Sequence, residues 1–169
     1  MSAFLQQLPA LLGVVVGALG SFLAVHAGDR SRFTRERSAR WEERRLIAYR
    51  DYSRALKASV SIMTRIAADR GNDPHPHPLP AEAGMPRLGE AFEQRDVAWE
   101  ELLLLGSEAV VEAARLWFFA VAKLEGFARE DRADADTWST LLQQQRVARA
   151  GFYDAARQDL SLPPGDPSL

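Results

Sequence analysis

Two patterns of hydrophobic residues divide the chain. From Ala3 to Val25 no side chain is charged, and the run from Leu8 to Val25, LPALLGVVVGALGSFLAV, is apolar all round. A helix lying along a membrane surface shows a polar face at helical period, and this run has none. Its 18 residues extend about 27 Å as a helix, close to the ~30 Å hydrocarbon core of a bilayer. Pro9 stands near its start, where a missing N–H costs little. The pattern predicts a transmembrane anchor over residues 1–28.

Beyond residue 28 the apolar positions recur in steps of three and four. Leu46, Tyr49, Ser53, Leu56, Val60, Met63 and Ala67 form one stripe, widened by Tyr52, Ala55, Ile62 and Ile66. Gly71 and Pro74 end that helix, and Asp73–Pro86, with five prolines, reads as a loop of polyproline character. A second stripe holds Leu88, Phe92, Arg95, Trp99 and Leu102. A third holds Val110/Val111, Ala114, Trp117/Phe118, Val121, Leu124 and Ala128, behind Ser107 as N-cap. The fourth holds Trp138, Leu141/Leu142, Gln145, Ala148, Phe152 and Ala156, capped by Asp134 or Asp136. Helices are therefore expected near 30–70, 86–105, 107–130 and 135–160, with a tail at 163–169.

No stretch alternates with a period of two. The expected fold is all-α: the N-terminal transmembrane helix, an arginine-rich juxtamembrane helix over 29–45, then an antiparallel up-down-up-down four-helix bundle over 46–162. The heptad-like, coiled-coil-type spacing suits crossing angles near ~20°. The third helix is the most apolar of the four, so it should be the most buried or should face a partner.

Charge sets the orientation of the anchor. Seven arginines (Arg30, Arg32, Arg35, Arg37, Arg40, Arg44 and Arg45) against four acids follow the apolar run, and no basic side chain precedes it. The positive-inside rule then places the amino terminus outside the cell membrane and the bundle in the cytoplasm, a single-pass arrangement. A cleaved signal peptide is the rival reading, but its positively charged leading region is missing. Within the span, Gly13, Gly17 and Ser21 lie on one line, a small-residue face that allows close helix approach and self-association. The same glycines also fit the ordinary composition of membrane helices. Trp41, set among Arg30, Arg32, Arg35, Arg37, Arg40, Arg44 and Arg45, suits contact with lipid headgroups. The alternative is a solvated helix whose arginines pair with its own glutamates.

The remaining composition excludes most chemistry. Of 169 residues none is cysteine and three are histidine (His26, His75, His77), so thiolate zinc sites and cysteine nucleophiles are absent. No histidine falls on a bundle helix, which leaves a di-iron carboxylate site without its ligands. His75 and His77 could share a metal ion only weakly from a proline-rich loop. Asp134-x-Asp136 is better explained by helix capping, and Glu90, Glu93, Glu100 and Glu101 by a solvated face. There is no phosphate-binding glycine loop and no nucleophile elbow. A net charge of −2 argues against nucleic acid. No catalytic residue, metal or cofactor is expected, and the chain does not read as an enzyme.

Three segments carry a resemblance: WEERRLIAYRDYSRAL (Trp41 to Leu56), LLLLGSEAVVEAARLW (Leu102 to Trp117) and FYDAARQDLSLP (Phe152 to Pro163). Behind a glycine-rich apolar amino terminus, they resemble a loose, uncharacterised family of small actinobacterial single-span membrane proteins with a helical domain. Only Lys57 and Lys123 among 21 basic residues are lysine, in keeping with a GC-rich genome. The resemblance implies an anchor and a helical domain, and brings no catalytic or binding residues.

The expected function is a membrane-anchored interaction or scaffold bundle without enzymatic activity. Its expected partners are membrane lipid, a protein and a second copy of the chain. Two alternatives stay open. One is an extracytoplasmic bundle that senses a small ligand in a cavity near Trp99, Trp117 and Trp138. The other is a regulator acting on the lipid surface through its arginine-rich segment.

Overall fold

The computed structural model describes residues 40–130 and 132–163, and the anchor expected at 1–28 lies outside them. By its contacts the chain divides after Glu43, and the bundle belongs to the part from Arg44 onward. Among the described residues there are four helices and no strand: α1 over residues 40–69, α2 Ala81–Leu105, α3 Glu108–Arg129 and α4 Ala135–Asp159. None of them is long and apolar enough to cross a membrane.

Contacts at the two ends fix the direction of each helix. At one end, Asp159 at the close of α4 accepts from Tyr49 Oη (2.7 Å) and Arg45 Nη1 (3.4 Å) near the start of α1. At the other, Arg70 Nη1 just past α1 donates to the carbonyls of Ala128 and Glu130, each at 2.7 Å, at the end of α3. Asn72 bridges to the start of α4: Nδ2 donates to the Arg132 carbonyl (2.9 Å), and Oδ1 accepts from the Asp134 N–H (2.7 Å). Gly84, one turn into α2, lies against Ile66 near the end of α1. The helices therefore run up, down, up and down.

Each helix buries the stripe its spacing marks out. Tyr49, Leu56, Met63 and Ala67 face inward from α1, and Val110, Ala114, Trp117, Val121, Leu124 and Ala128 from α3. Full burial of one large apolar side chain contributes about 1.5–3 kcal/mol, so such stripes hold the fold. Leu46 departs from its predicted stripe and stands exposed, while Ala48 is buried instead. It lies one turn before Tyr49, where α1 has reached the end of the bundle.

The start of α2 is the main correction. It begins at Ala81, not near Pro86, so Pro86 lies inside the helix and the loop ends at Pro80. Proline inside a helix removes one backbone hydrogen bond. The preceding turn holds because Gly84 lets the backbone approach Ile66. A β-carbon there would sit 2.6 Å from Ile66 Cδ1. The loop is also fastened to α1: the Leu79 N–H donates to the Arg65 carbonyl (2.9 Å), and Arg65 Nε donates to the His77 carbonyl (2.9 Å). Of the two candidate caps for α4, Asp134 takes the position, accepting from the Thr137 N–H (3.0 Å) and hydroxyl (2.7 Å). Those bonds hold its carboxyl below the usual carboxylate range. Ser107 occupies the N-cap of α3, but its side chain makes no capping bond.

Candidate functional site

The middle of the bundle is filled by rings. Tyr52 packs on Phe152 with ring centroids 5.5 Å apart and meets Trp117 edge-on at 6.1 Å. Trp117 in turn lies 5.4 Å from Phe152, and Trp138 lies 5.8 Å from Phe127. The polar atoms of these rings are bonded. Tyr52 Oη donates to the Ala114 carbonyl (2.9 Å), Trp117 Nε1 to Gln145 Oε1 (3.1 Å) and Trp138 Nε1 to Asp73 Oδ2 (2.9 Å). Burial raises the hydroxyl pKa of Tyr52, and burial followed by the bond to Asp159 raises that of Tyr49. Trp117 and Trp138 are thus built into the core, but the three tryptophans expected around one ligand cavity do not share one: Trp99 borders a cleft on α2, and Trp138 borders a separate open hollow of about 500 Å³ with Asp73, His75 and Gln145.

The outer surface is a stronger candidate. Leu116 (57% exposed), Phe119 (55%) and Val147 (63%) project from the neighbouring helices α3 and α4. Between them runs a trough of about 650 Å³ lined by the small residues Ala113, Ala120, Ala148 and Gly151 and edged by Lys123, Gln143 and Gln144. A β-carbon on Gly151 would meet nothing, so the trough is open there. Contiguous exposed apolar surface with a polar rim is what interaction sites look like. The sequence carries a faint signal for it. Glu112, Leu116, Phe119 and Lys123 follow a second four-three-four spacing on α3, displaced from the core stripe. The high apolar content of α3 comes from serving the core on one side and this trough on the other.

A smaller cleft of about 240 Å³ lies between α2 and α3, lined by Arg95, Asp96, Trp99, Arg115, Phe118 and Phe119. The Arg95 guanidinium is sandwiched between Phe92 (4.5 Å from its ring centroid) and Phe118 (4.8 Å). Arg95 Nε and Nη2 both donate to Asp96 Oδ1, at 3.1 and 2.8 Å. Phe119 lines the trough as well as this cleft.

The residues singled out from sequence fall as follows. Gly13, Gly17, Ser21, Arg30, Arg32, Arg35 and Arg37 lie outside the described residues. Arg40, Trp41 and Arg44 are on the exposed surface of α1. Arg45 is tied to Asp159 of α4, so part of its charge serves the bundle. His75 and His77 have ring centroids 6.0 Å apart, and the His77 N–H donates to His75 Nδ1 (3.1 Å), which occupies one potential ligand atom. Among the described residues no three His, Cys, Asp or Glu side chains gather as a metal site would need.

Compared with family models, curated proteins and solved structures, the chain matches none.

Proposed function

We propose that the protein is a membrane-anchored, non-enzymatic interaction module whose α3/α4 trough receives an amphipathic helix of a protein partner. The observation that carries this reading is the exposed Leu116–Phe119–Val147 surface on a bundle whose interior is already filled. A floor of Ala113, Ala120, Ala148 and Gly151 between apolar ridges suits one helix laid into the groove. Small residues let its backbone approach closely.

Anchoring through residues 1–28, with the bundle in the cytoplasm, is supported by the uncharged run and the arginines that follow it. A further support lies at the end of the bundle where α1 begins and α2 and α4 finish. Leu46, Ile47, Leu103, Leu104 and Leu162 are exposed there, an apolar rim suited to a bilayer surface. A reporter fused to the carboxyl terminus is expected to remain cytoplasmic on an uncleaved, membrane-bound chain.

The trough is tested by placing the photo-crosslinking residue p-benzoylphenylalanine at position 119 of the full chain in cells. A discrete adduct is expected, lost when Val147→Asp is added. The same probe replacing Glu90, on the exposed surface of α2, is the control. Diffuse or absent adducts at position 119, or the same adduct from position 90, would refute the docking surface. An adduct of twice the chain's mass would identify the occupant as a second copy.

A further inference from the structure

Arg95 stands where an apolar residue would be expected. It lies in the core-facing stripe of α2, between Phe92 and Trp99, and its side chain is only 12% exposed. Taking a guanidinium out of water is costly unless its charge and donors are answered. The aromatic faces of Phe92 and Phe118 answer part of this through cation–π contact. Asp96 answers another part, but both of its bonds fall on one oxygen and use the Nε/Nη2 edge. The second edge of the fork, Nη1, takes no part in that pair. A guanidinium offers two such edges, and each matches a carboxylate.

The cleft beside it has the complementary shape. Trp99, Phe118 and Phe119 supply ring surfaces, and Arg115 adds a second guanidinium, paired with Glu112 at 3.1 Å on the surface. Asp96 also lines the cleft, so two guanidinium groups stand against one carboxylate, and the net positive balance disfavours a cation. A neutral apolar molecule would leave the second edge of Arg95 unused. At about 240 Å³ the space falls below the range usual for drug-sized ligands, so it suits one ring or a fused pair. The geometry points to a binding site for a small aryl carboxylate, its ring against Trp99 and Phe119 and its carboxylate on the guanidinium of Arg95, with Arg115 contributing long-range attraction. This site is a different cleft that shares only Phe119 with the trough, and testing it does not require a helix to dock there.

The test uses the full chain in lipid nanodiscs and the heavy-atom quencher 4-iodobenzoate, read by tryptophan fluorescence against empty-disc controls. Saturable quenching is expected, and Trp99→Phe should remove its saturable part. The neutral analogue 4-iodobenzyl alcohol should bind at least tenfold more weakly. Arg95→Met, which keeps the apolar stem, should weaken 4-iodobenzoate at least tenfold, and Arg115→Met severalfold. Should Arg95→Met fail to fold by circular dichroism, Arg115→Met and the alcohol decide the matter. Equal affinity for acid and alcohol, purely linear quenching, saturable quenching that survives Trp99→Phe, or full affinity in the arginine variants that fold would each overturn the site.

Discussion

Replacing Gln145 by leucine tests whether the bundle's interior is as dry as its packing implies. Trp117 is fully buried, and its indole N–H has Gln145 Oε1 as acceptor at 3.1 Å. Leucine fills much of the same space but accepts nothing, so the indole donor is stranded. A stranded buried donor costs about 1–3 kcal/mol, whereas removing both partners together can be close to neutral. Trp117→Phe alone should cost roughly 2–4 kcal/mol, because it leaves a void among the rings and strands the Gln145 amide. The double variant should then lose less than the sum of the singles, with a coupling of about 1–2 kcal/mol. The measurement is urea unfolding of the full chain in mild detergent, followed by circular dichroism at equal protein and detergent concentration. Additive losses, or a Gln145→Leu variant within about 0.5 kcal/mol of the parent, would show that water reaches Trp117. In that case the core would not be a filled one, and a ligand cavity around the central tryptophans would regain its standing.

Two further outcomes follow from close contacts at either end of the bundle. Gly84→Ala should cost about 1–3 kcal/mol, because its β-carbon would fall 2.6 Å from Ile66 Cδ1 and 2.7 Å from Ile66 Cγ1, and adding Ile66→Val, which removes only Cδ1, should recover little of the loss. Thermal melts of the single and double variants check this, and an unchanged melting temperature in Gly84→Ala would contradict the close approach that holds the first turn of α2. The hydroxyl pKa values of Tyr49, at the opposite end, and of Tyr52, in the middle of the bundle, are raised above the ordinary 10.0 by burial. A raised folded-state pKa means that the neutral hydroxyl contributes its stability in full below pH 10. That contribution declines as pH climbs above 10, where only the unfolded chain ionises readily. Urea midpoints measured from pH 8 to 11.5 should therefore fall on the alkaline side, and less steeply in Tyr49→Phe. A flat profile would be inconsistent with a buried Tyr49–Asp159 bond.

Spacing and end signals made much of this fold legible. The bounds expected for α3 and α4 fall within one residue of those observed, because clear apolar stripes and breaks mark both helices, with a bonded side-chain cap on α4 alone. Pro86 misled for a physical reason. Proline is favoured at a helix start, and the turn before it survives here through a tertiary contact, Gly84 on Ile66, that no local pattern announces. Periodicity also gives directions only relative to each helix's own axis. It correctly put Arg95 on the inward stripe of α2, but not at the edge of a cleft between two phenylalanines. The trough was only faintly marked, by the second spacing on α3, for the same reason. Leu116 and Val147 belong to different helices, and only the packing of α3 on α4 sets them beside one small-residue floor.

Phe119 joins the two candidate sites physically. Its ring forms one ridge of the α3/α4 trough and one wall of the α2/α3 cleft. One side chain cannot change rotamer for one neighbour and stay in place for the other. If an aryl acid holds the ring toward Trp99, the ridge is either fixed in its docking position or drawn away from it. Both outcomes make helix docking depend on the acid, and linkage requires the converse effect to be of equal size. The magnitude is bounded by the contact free energy of a single aromatic ring, about 0.5–1.5 kcal/mol beyond its burial, which corresponds to roughly two- to tenfold in affinity. Crosslinking from position 116, on the same ridge, should therefore change by no more than that factor when 4-iodobenzoate is added. A larger change would require α2 to move relative to α3, and an unchanged yield at saturating acid would show that Phe119 serves the two surfaces independently.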